Sequence, residues 1–239
     1  DCFARTATRV IINDSGIIRT FMDKYETAKF FKNNNLPYPK TYLLKDFRHD
    51  LDFPVILKPR NGYGRKGNIV ITGQDELDYF RKRLSDTVVQ EIIGQEDEEY
   101  TVGVFAAGGD IYSIAFKRCL GYGSLTKVAE LVLDDQITNT AEKIARACAL
   151  KGVLNIQLRK TEKGYVAFEI NPRFSSTVYF RHHFGFWDVV WSMYMWEKRK
   201  IRFDLKYKEG VGVRRIDHLF FNLKTSGKAS DILNDGYKK

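Results

Sequence analysis

Cysteine is scarce in this chain and nowhere paired by spacing. The three cysteines among 239 residues, Cys2, Cys119 and Cys148, are odd in number and far apart. Without a Cys-x-x-Cys pattern, neither a disulfide framework nor a zinc site is expected, and a reducing, cytoplasmic setting is the default. Long hydrophobic runs are also missing. The most apolar stretch, residues 184–196, is 13 residues long and contains Asp188. It is too short and too polar to cross a bilayer, so no membrane partner is expected. No signal-like apolar run opens the chain, which starts at Asp1 without a methionine and reads as a fragment or a processed product. Internal repeats, low-complexity blocks, helix-turn-helix, RNP-type and zinc motifs are all lacking. Basic residues are not interleaved with aromatics in a recognisable platform, so no nucleic-acid partner is expected either.

What is present suits an ordinary globular protein. Apolar residues make up 44% and charged residues 29%, and the length suffices to bury a core without covalent staples. The net charge of +9, from 39 basic and 30 acidic residues, first suggests an anionic partner. Its distribution says otherwise. Residues 198–239 hold 12 basic and 5 acidic residues, leaving 27 against 25 in residues 1–197. The body is close to neutral and the excess belongs to the end of the chain.

Hydrophobic periodicity alternates between hairpins and helices. A β-like run at 9–12 is followed by a turn at 13–16, then by a helix over 23–35 with Asp23 as N-cap and Ala28 and Phe31 on one face. Pro37 and Pro39 end it and impose extended chain. Strands are expected at 53–59 and 68–72, forming a hairpin around the basic turn 60–67, which carries Gly62, Gly64 and Gly67. A helix at 75–84, strands at 88–94 and 100–106, and a hairpin turn at Gly108-Gly109-Asp110 into a strand at 111–119 come next. A helix at 139–150, strands at 153–159 and 165–170 and a helix at 187–196 complete the series. This mixture points to an α+β fold rather than a doubly wound parallel sheet.

Four places carry candidate chemistry. The glycine turn leaves backbone amides open beside Arg60, Arg65 and Lys66, so it is either a phosphate cradle or a solvated hairpin tip. It is neither a Walker A loop nor a Rossmann fingerprint, because a strand follows it. Lys58 ends an apolar strand at the root of that loop, where its ammonium reaches either a phosphate or water. Lys24 stands similarly at a helix start. Gln90-Glu91-Ile92-Ile93, followed by an acidic stretch at 96–99, is either a hinge whose backbone reads a purine edge or a solvated acidic loop. Finally, Glu169 and Asn171 share one face of an extended chain, and Gln157 joins them if its strand pairs through the turn at 162–164. One carboxylate and two amide oxygens suit Mg²⁺, which completes its shell from water and substrate phosphates. Arg173 lies beside them as an anion holder.

In this order, the pieces resemble the ATP-grasp superfamily, most closely the branch of the carbamoyl-phosphate synthase large subunit. The resemblance rests on Asp23-Lys24, on Val55-Ile56-Leu57-Lys58-Pro59 with the glycine loop, and on Gln90-Glu91-Ile92-Ile93. It continues through Glu99-Tyr100-Thr101-Val102, Asn155-Ile156-Gln157 and Glu169-Ile170-Asn171-Pro172-Arg173-Phe174-Ser175, and covers roughly residues 17–200. It implies two lobes whose antiparallel sheets clasp ATP, with the usual N-terminal α/β subdomain largely missing. Residues 1–22 would be its remnant or a linker, 23–223 the ATP-grasp domain (small lobe about 40–90, hinge 90–94, large lobe about 95–223) and 224–239 a basic tail.

The resemblance also implies roles. Lys24 and Lys58 would hold phosphates, and Gly62, Gly64 and Gly67 would belong to the loop closing over them. Gln90, Glu91 and Ile93 would read adenine against Phe168, and Glu99, with Glu98 as rival, would take the ribose. Gln157, Glu169 and Asn171 would hold Mg²⁺, with Mn²⁺ as a substitute, and Arg173 with Lys58 would serve the phosphoryl group. The implied activity is an ATP- and Mg-dependent ligase joining a small-molecule carboxylate to an amine or ammonia through an acyl phosphate. The other reading is an ATP-binding module without ligase activity. Lys117, Arg118, Lys127 and the cluster Tyr179, Arg181, His182 and His183 are candidates for lining the acceptor site, the cluster equally a partly exposed aromatic patch.

Overall fold

In a computed structural model, residues 10–215 are described except Tyr63, Gly64, Tyr122, Ser124 and Lys208. The expected basic tail and Gly64 therefore lie outside the described residues. Strands β1 (Thr41–Leu43), β2 (Val55–Pro59), β3 (Ile69–Ile71) and β4 (Thr87–Glu91) form an antiparallel sheet in the order β1-β4-β2-β3. The alternation of β2 decides its two faces. Val55 and Leu57 are fully buried against Leu44, Phe47 and Leu77, the last from helix α3 (Gln74–Arg81). Ile56 and Lys58, one residue out of phase, therefore face the opposite way.

A second antiparallel sheet contains β5 (Glu99–Ala107), β6 (Asp110–Leu120), β7 (Thr126–Val132), β8 (Gly152–Thr161), β9 (Gly164–Asn171) and β10 (Val211–Val213), in the order β10-β7-β6-β5-β8-β9. On one face Val102, Val104, Leu154 and Ile156 pack against Ile137, Ala141, Ile144 and Ala145 of α4 (Asp135–Ala147). Helices α1 (Ser15–Met22) and α2 (Lys24–Asn33) add Phe21 and Phe31 to that core. The other face is divided. Phe105, Ile114, Phe116 and Val153 are covered by Phe180 of α5 (Val178–His183) and Trp191 of α6 (Asp188–Trp196). Glu99 and Thr101, in phase with Phe105 on β5, lie beyond that cover and face the small sheet across a cleft.

Several local expectations need correction. Residues 10–14 form no strand, and the segment read as a turn at 13–16 is a helix start: the Asp14 side chain accepts from Gly16 N at 2.7 Å and caps α1. The strand before the hinge stops at Glu91 rather than reaching Gly94. The helix expected at 139–150 begins earlier, with Asp134 as its cap. Strands β7 and β10 and helix α5 were not expected. Among the described residues, no helix is long and apolar enough to cross a membrane.

Candidate active site

The cleft between the sheets has a volume of about 880 Å³. Its small-lobe wall carries Ile56 and Lys58 from β2, Gln90 and Glu91 from β4, and Ile93 just beyond; its large-lobe wall carries Glu99, Gln157, Phe168, Glu169 and Asn171. Lys24, Gly62 and Arg173 complete the ring. Of the described residues first assigned to ATP or metal, Gly67 and the ribose rival Glu98 stand off this wall, and of the acceptor candidates only Arg118 lies on it. Gly67 returns the loop at φ +75°, where a Cβ would approach Pro59 Cγ to 2.8 Å, so glycine is required there for conformation and space.

One irregularity makes the large-lobe wall possible. The β8–β9 register runs Gln157 to Glu169 and then Leu158 to Ala167, leaving Phe168 without a partner. In a regular strand Phe168 and Glu169 would point to opposite faces. The bulge turns both toward the cleft, while Ala167 and Ile170 remain in the core at 1% and 2% exposure. Asn171 Nδ2 donates to Glu169 Oε1 at 2.8 Å, and Arg173 Nη2 donates to Asn171 Oδ1 at 3.3 Å. Gln157 lies directly opposite Glu169 in the ladder.

Two lysines face this acidic strip. Lys24 opens α2, where the Asp23 carboxylate caps the helix by accepting from Tyr25 N and Glu26 N and also binds Arg60 Nε at 2.7 Å. That contact ties the helix start to the root of the glycine loop, and Lys24 Nζ donates to Gly62 O at 3.2 Å. Burial pulls the Lys24 ammonium below its ordinary pKa, with Glu169 and Asp23 opposing. Lys58 donates to Gln90 Oε1 at 2.5 Å and lies 5.6 Å from the Phe168 ring centre. Burial lowers its pKa to about 8; Glu169 opposes this and Lys24 and Arg159 reinforce it.

The sign of the resulting pH dependence follows from linkage. Between pH 8 and the ordinary lysine value of 10.5, the unfolded chain binds a proton at residue 58 that the folded chain has released. Stability contributed by this group therefore rises with pH across that window and is at its lowest below it. Urea midpoints of the wild type compared with Lys58→Met at pH 7.5, 9 and 10 check this. The Lys58→Met advantage at pH 7.5 should shrink by pH 10, and a constant difference would refute it.

The acidic side of the hinge differs from a free ribose carboxylate. Glu99 is 2% exposed and is engaged by Arg118, by Arg65 at 3.1 Å and by Arg159 at 3.3 Å. Burial alone would raise its pKa, but these guanidinium groups outweigh it and hold the carboxyl below the usual range. Its rival Glu98 accepts from Tyr100 Oη at 2.6 Å and pairs with Lys117. Arg159 also donates to Ile93 O at 3.2 Å, fixing the hinge backbone. The arginine cluster was missed in the sequence, although Arg159 lies two residues after Gln157 on one strand, the spacing that places both on one face. Arg118 and Lys117, considered for an acceptor, are paired instead to Glu99 and Glu98. Arg181 leaves the acceptor candidates altogether, since it is 1% exposed and paired with Asp188 at 2.6 Å.

Two antiparallel sheets closing on a cleft with opposed lysines and a Glu-x-Asn strip define a class of nucleotide-clasping proteins. The chain belongs to the ATP-grasp superfamily: the family described as "ATP-grasp in the biosynthetic pathway with Ter operon" matches residues 83–214. It is similar to the carbamoyl-phosphate synthase of Methanobrevibacter smithii, 25% identical over 193 residues, covering 74% of this chain and 52% of that protein. The arginine-specific large chain of Halalkalibacterium halodurans carbamoyl phosphate synthase is 25% identical over 182 residues, covering 68% of this chain and 17% of that one. This chain thus spans about half the length of the first of these curated relatives, and much less of the second. Among solved structures, biotin carboxylase from Campylobacter jejuni in complex with β,γ-ATP aligns with a TM-score of 0.72 at 15% identity, over 88% of this chain and 54% of that one. Carboxyaminoimidazole ribonucleotide synthase from Aspergillus clavatus complexed with ATP aligns with a TM-score of 0.67 at 17% identity, over 80% and 55%. At these identities the structural likeness is one of fold.

Proposed function

We propose that the chain binds Mg-ATP in the inter-sheet cleft and acts as a ligase joining a carboxylate to an amine or ammonia, releasing ADP and phosphate. The observation that carries this reading is the bulged strand end, which aims Phe168, Glu169 and Asn171 at Lys58 and Lys24. Backbone groups from Gln90 to Ile93 take the adenine edge, with Phe168 as its apolar wall. Lys24 and Lys58 neutralise phosphate oxygens, and Arg173 holds the transferred phosphoryl group. The donor set of one carboxylate and two amide oxygens fits a hard cation that completes its shell from phosphates. Glu169, Asn171 and Gln157 would hold Mg²⁺, or Mn²⁺ in its place, which when bound supplies further charge neutralisation on those oxygens.

Chemically, a carboxylate oxygen forms a bond to the γ-phosphorus as the bond to the ADP oxygen breaks. The amine then attacks the acyl carbon, phosphate leaves with the C–O bonding pair, and the nitrogen loses a proton. The chain contributes position and charge rather than a nucleophile. The test has two parts. Mg-ATP should raise the melting temperature, and hydroxylamine should trap a hydroxamate when a substrate carboxylate is present. Stabilisation by Mg-ATP with no hydroxamate across a broad carboxylate panel would favour the second reading, a nucleotide-binding module. No stabilisation would overturn both.

A further inference from the structure

A second cavity of about 300 Å³ opens from the cleft, sharing Gln90 and Phe168 as well as Lys24, Glu169, Asn171 and Arg173 with it, and extends away beneath α1 and α2. Its inner wall is Phe21, Ala28, Phe31, Tyr38 and Ile170. The two threonine hydroxyls on that wall are already used. Thr27 Oγ1 donates to Thr20 O and Asp23 O at 3.0 and 2.8 Å, and Thr41 Oγ1 donates to Pro39 O at 2.8 Å while accepting from Gln90 Nε2 at 2.9 Å. Apart from the Tyr38 hydroxyl, the inner wall offers carbon surface and threonine hydroxyls already engaged, so the interior suits a largely apolar guest.

Charge is confined to the shared rim, where Lys24 and Arg173 supply two cations beside Glu169. Such a chamber fits a molecule that is anionic at one end and apolar along its body. Of the groups assigned to the adenine, Gln90 and Phe168 line both spaces, whereas Glu91, Ile92 and Ile93 line the large cleft alone. With the hinge backbone taking the base from the large cleft, the part of the chamber beneath α1 and α2 is left for a second ligand.

We propose that this chamber is the subsite for the body of the carboxylate substrate, which is a compact branched-alkyl or aryl carboxylate whose carboxyl group lies at the rim between Lys24 and Arg173. The assignment rests on the ligase reading above, and its tests separate the two. Hydroxamate formation with Mg-ATP and hydroxylamine is compared for 3-phenylpropanoate, 4-methylpentanoate, acetate and succinate. The apolar-bodied acids should exceed acetate and succinate by at least about tenfold in kcat/KM, the scale of discrimination that apolar pockets reach. Ala28→Leu, which fills the chamber, should erase this preference while leaving Mg-ATP affinity unchanged. Met22→Trp provides a second blockade at an edge residue that is 52% exposed, where folding is not at risk. Equal turnover of acetate and 3-phenylpropanoate, or a preference that survives both variants, would overturn the subsite and leave the ligase reading standing. Saturation-transfer NMR of 3-phenylpropanoate, with a non-hydrolysable ATP analogue present, covers the remaining case. Binding that both variants abolish, without any hydroxamate, would retain the chamber and refute the ligase; no binding would refute the chamber.

Discussion

Replacing Glu169 with alanine should lower ATP-dependent turnover by on the order of 10²–10³ fold, the scale seen when one preorganised electrostatic group is removed from a transition state, and should remove the Mg-dependent part of nucleotide binding. Three local facts make the effect large. Glu169 is the only carboxylate among the three proposed metal ligands, so alanine leaves two neutral amides that hold a divalent ion weakly. Its Oε1 accepts from Asn171 Nδ2 at 2.8 Å, so the amide loses its orientation at the same time. It is also the largest influence raising the pKa of both Lys24 and Lys58. Without it, the Lys58 pKa falls further and the side chain carries less charge toward a triphosphate. Glu169→Gln separates these contributions, keeping an acceptor for Asn171 while deleting the charge; it should recover orientation but little turnover. Glu169 is only partly buried, so the melting temperature without nucleotide should change little. Mg-ATP affinity equal to that of the wild type would remove Glu169 from the metal set.

Which of these features the sequence carries depends on whether a local rule produces them. Asp23 before Lys24 is a helix cap by residue type alone, and the cap is present. The apolar strand ending in Lys58-Pro59, its hairpin partner and the hairpin at Gly108-Gly109 are equally local, and they pair antiparallel as their spacing implies. The Glu-x-Asn strip is legible because period-two alternation is a property of any strand. The bulge at Phe168 is not legible, because it arises from the pairing of β8 with β9. Strict alternation would have sent Phe168 and Glu169 to opposite faces. Strand β7 is not legible because its burial follows no clean alternation: Thr126, Ala129 and Leu131 are buried, and Lys127 and Glu130 exposed. Strand β10 is three residues long and exists through its pairing with β7. Asp14 reads as a turn residue because Asx side chains serve turns and helix caps alike; packing of Ile17 and Phe21 against the large-sheet core decides for the helix.

Arg181 departs furthest from its sequence reading, and Asp188→Ala should consequently destabilise the fold by about 3–5 kcal/mol, the usual cost of leaving a buried charge without its partner. Both residues are 1% exposed, with their charged ends 2.6 Å apart. Burial lowers the Arg181 pKa and raises that of Asp188, each opposed by the other's charge, so neither group is comfortable alone. The backbone has been cleared for the pair: a Cβ on residue 103 would lie 2.4 Å from Arg181 Cδ, and glycine stands there. Urea unfolding should show the loss as a lower midpoint with an unchanged slope. A midpoint within experimental error of the wild type would mean that the pair contributes nothing net. The double replacement Arg181→Met with Asp188→Leu should recover most of the stability, because it removes both desolvation costs. It should not recover full turnover. Arg181 Nη1 also donates to Ser175 Oγ at 2.9 Å, and Ser175 lies on the cleft wall two residues after Arg173. With that donor gone, the segment that aims Arg173 at the proposed phosphoryl group loses its anchor to the core. A stable double variant with reduced kcat and unchanged Mg-ATP affinity would show that the buried arginine positions the cleft as well as filling the space beneath it.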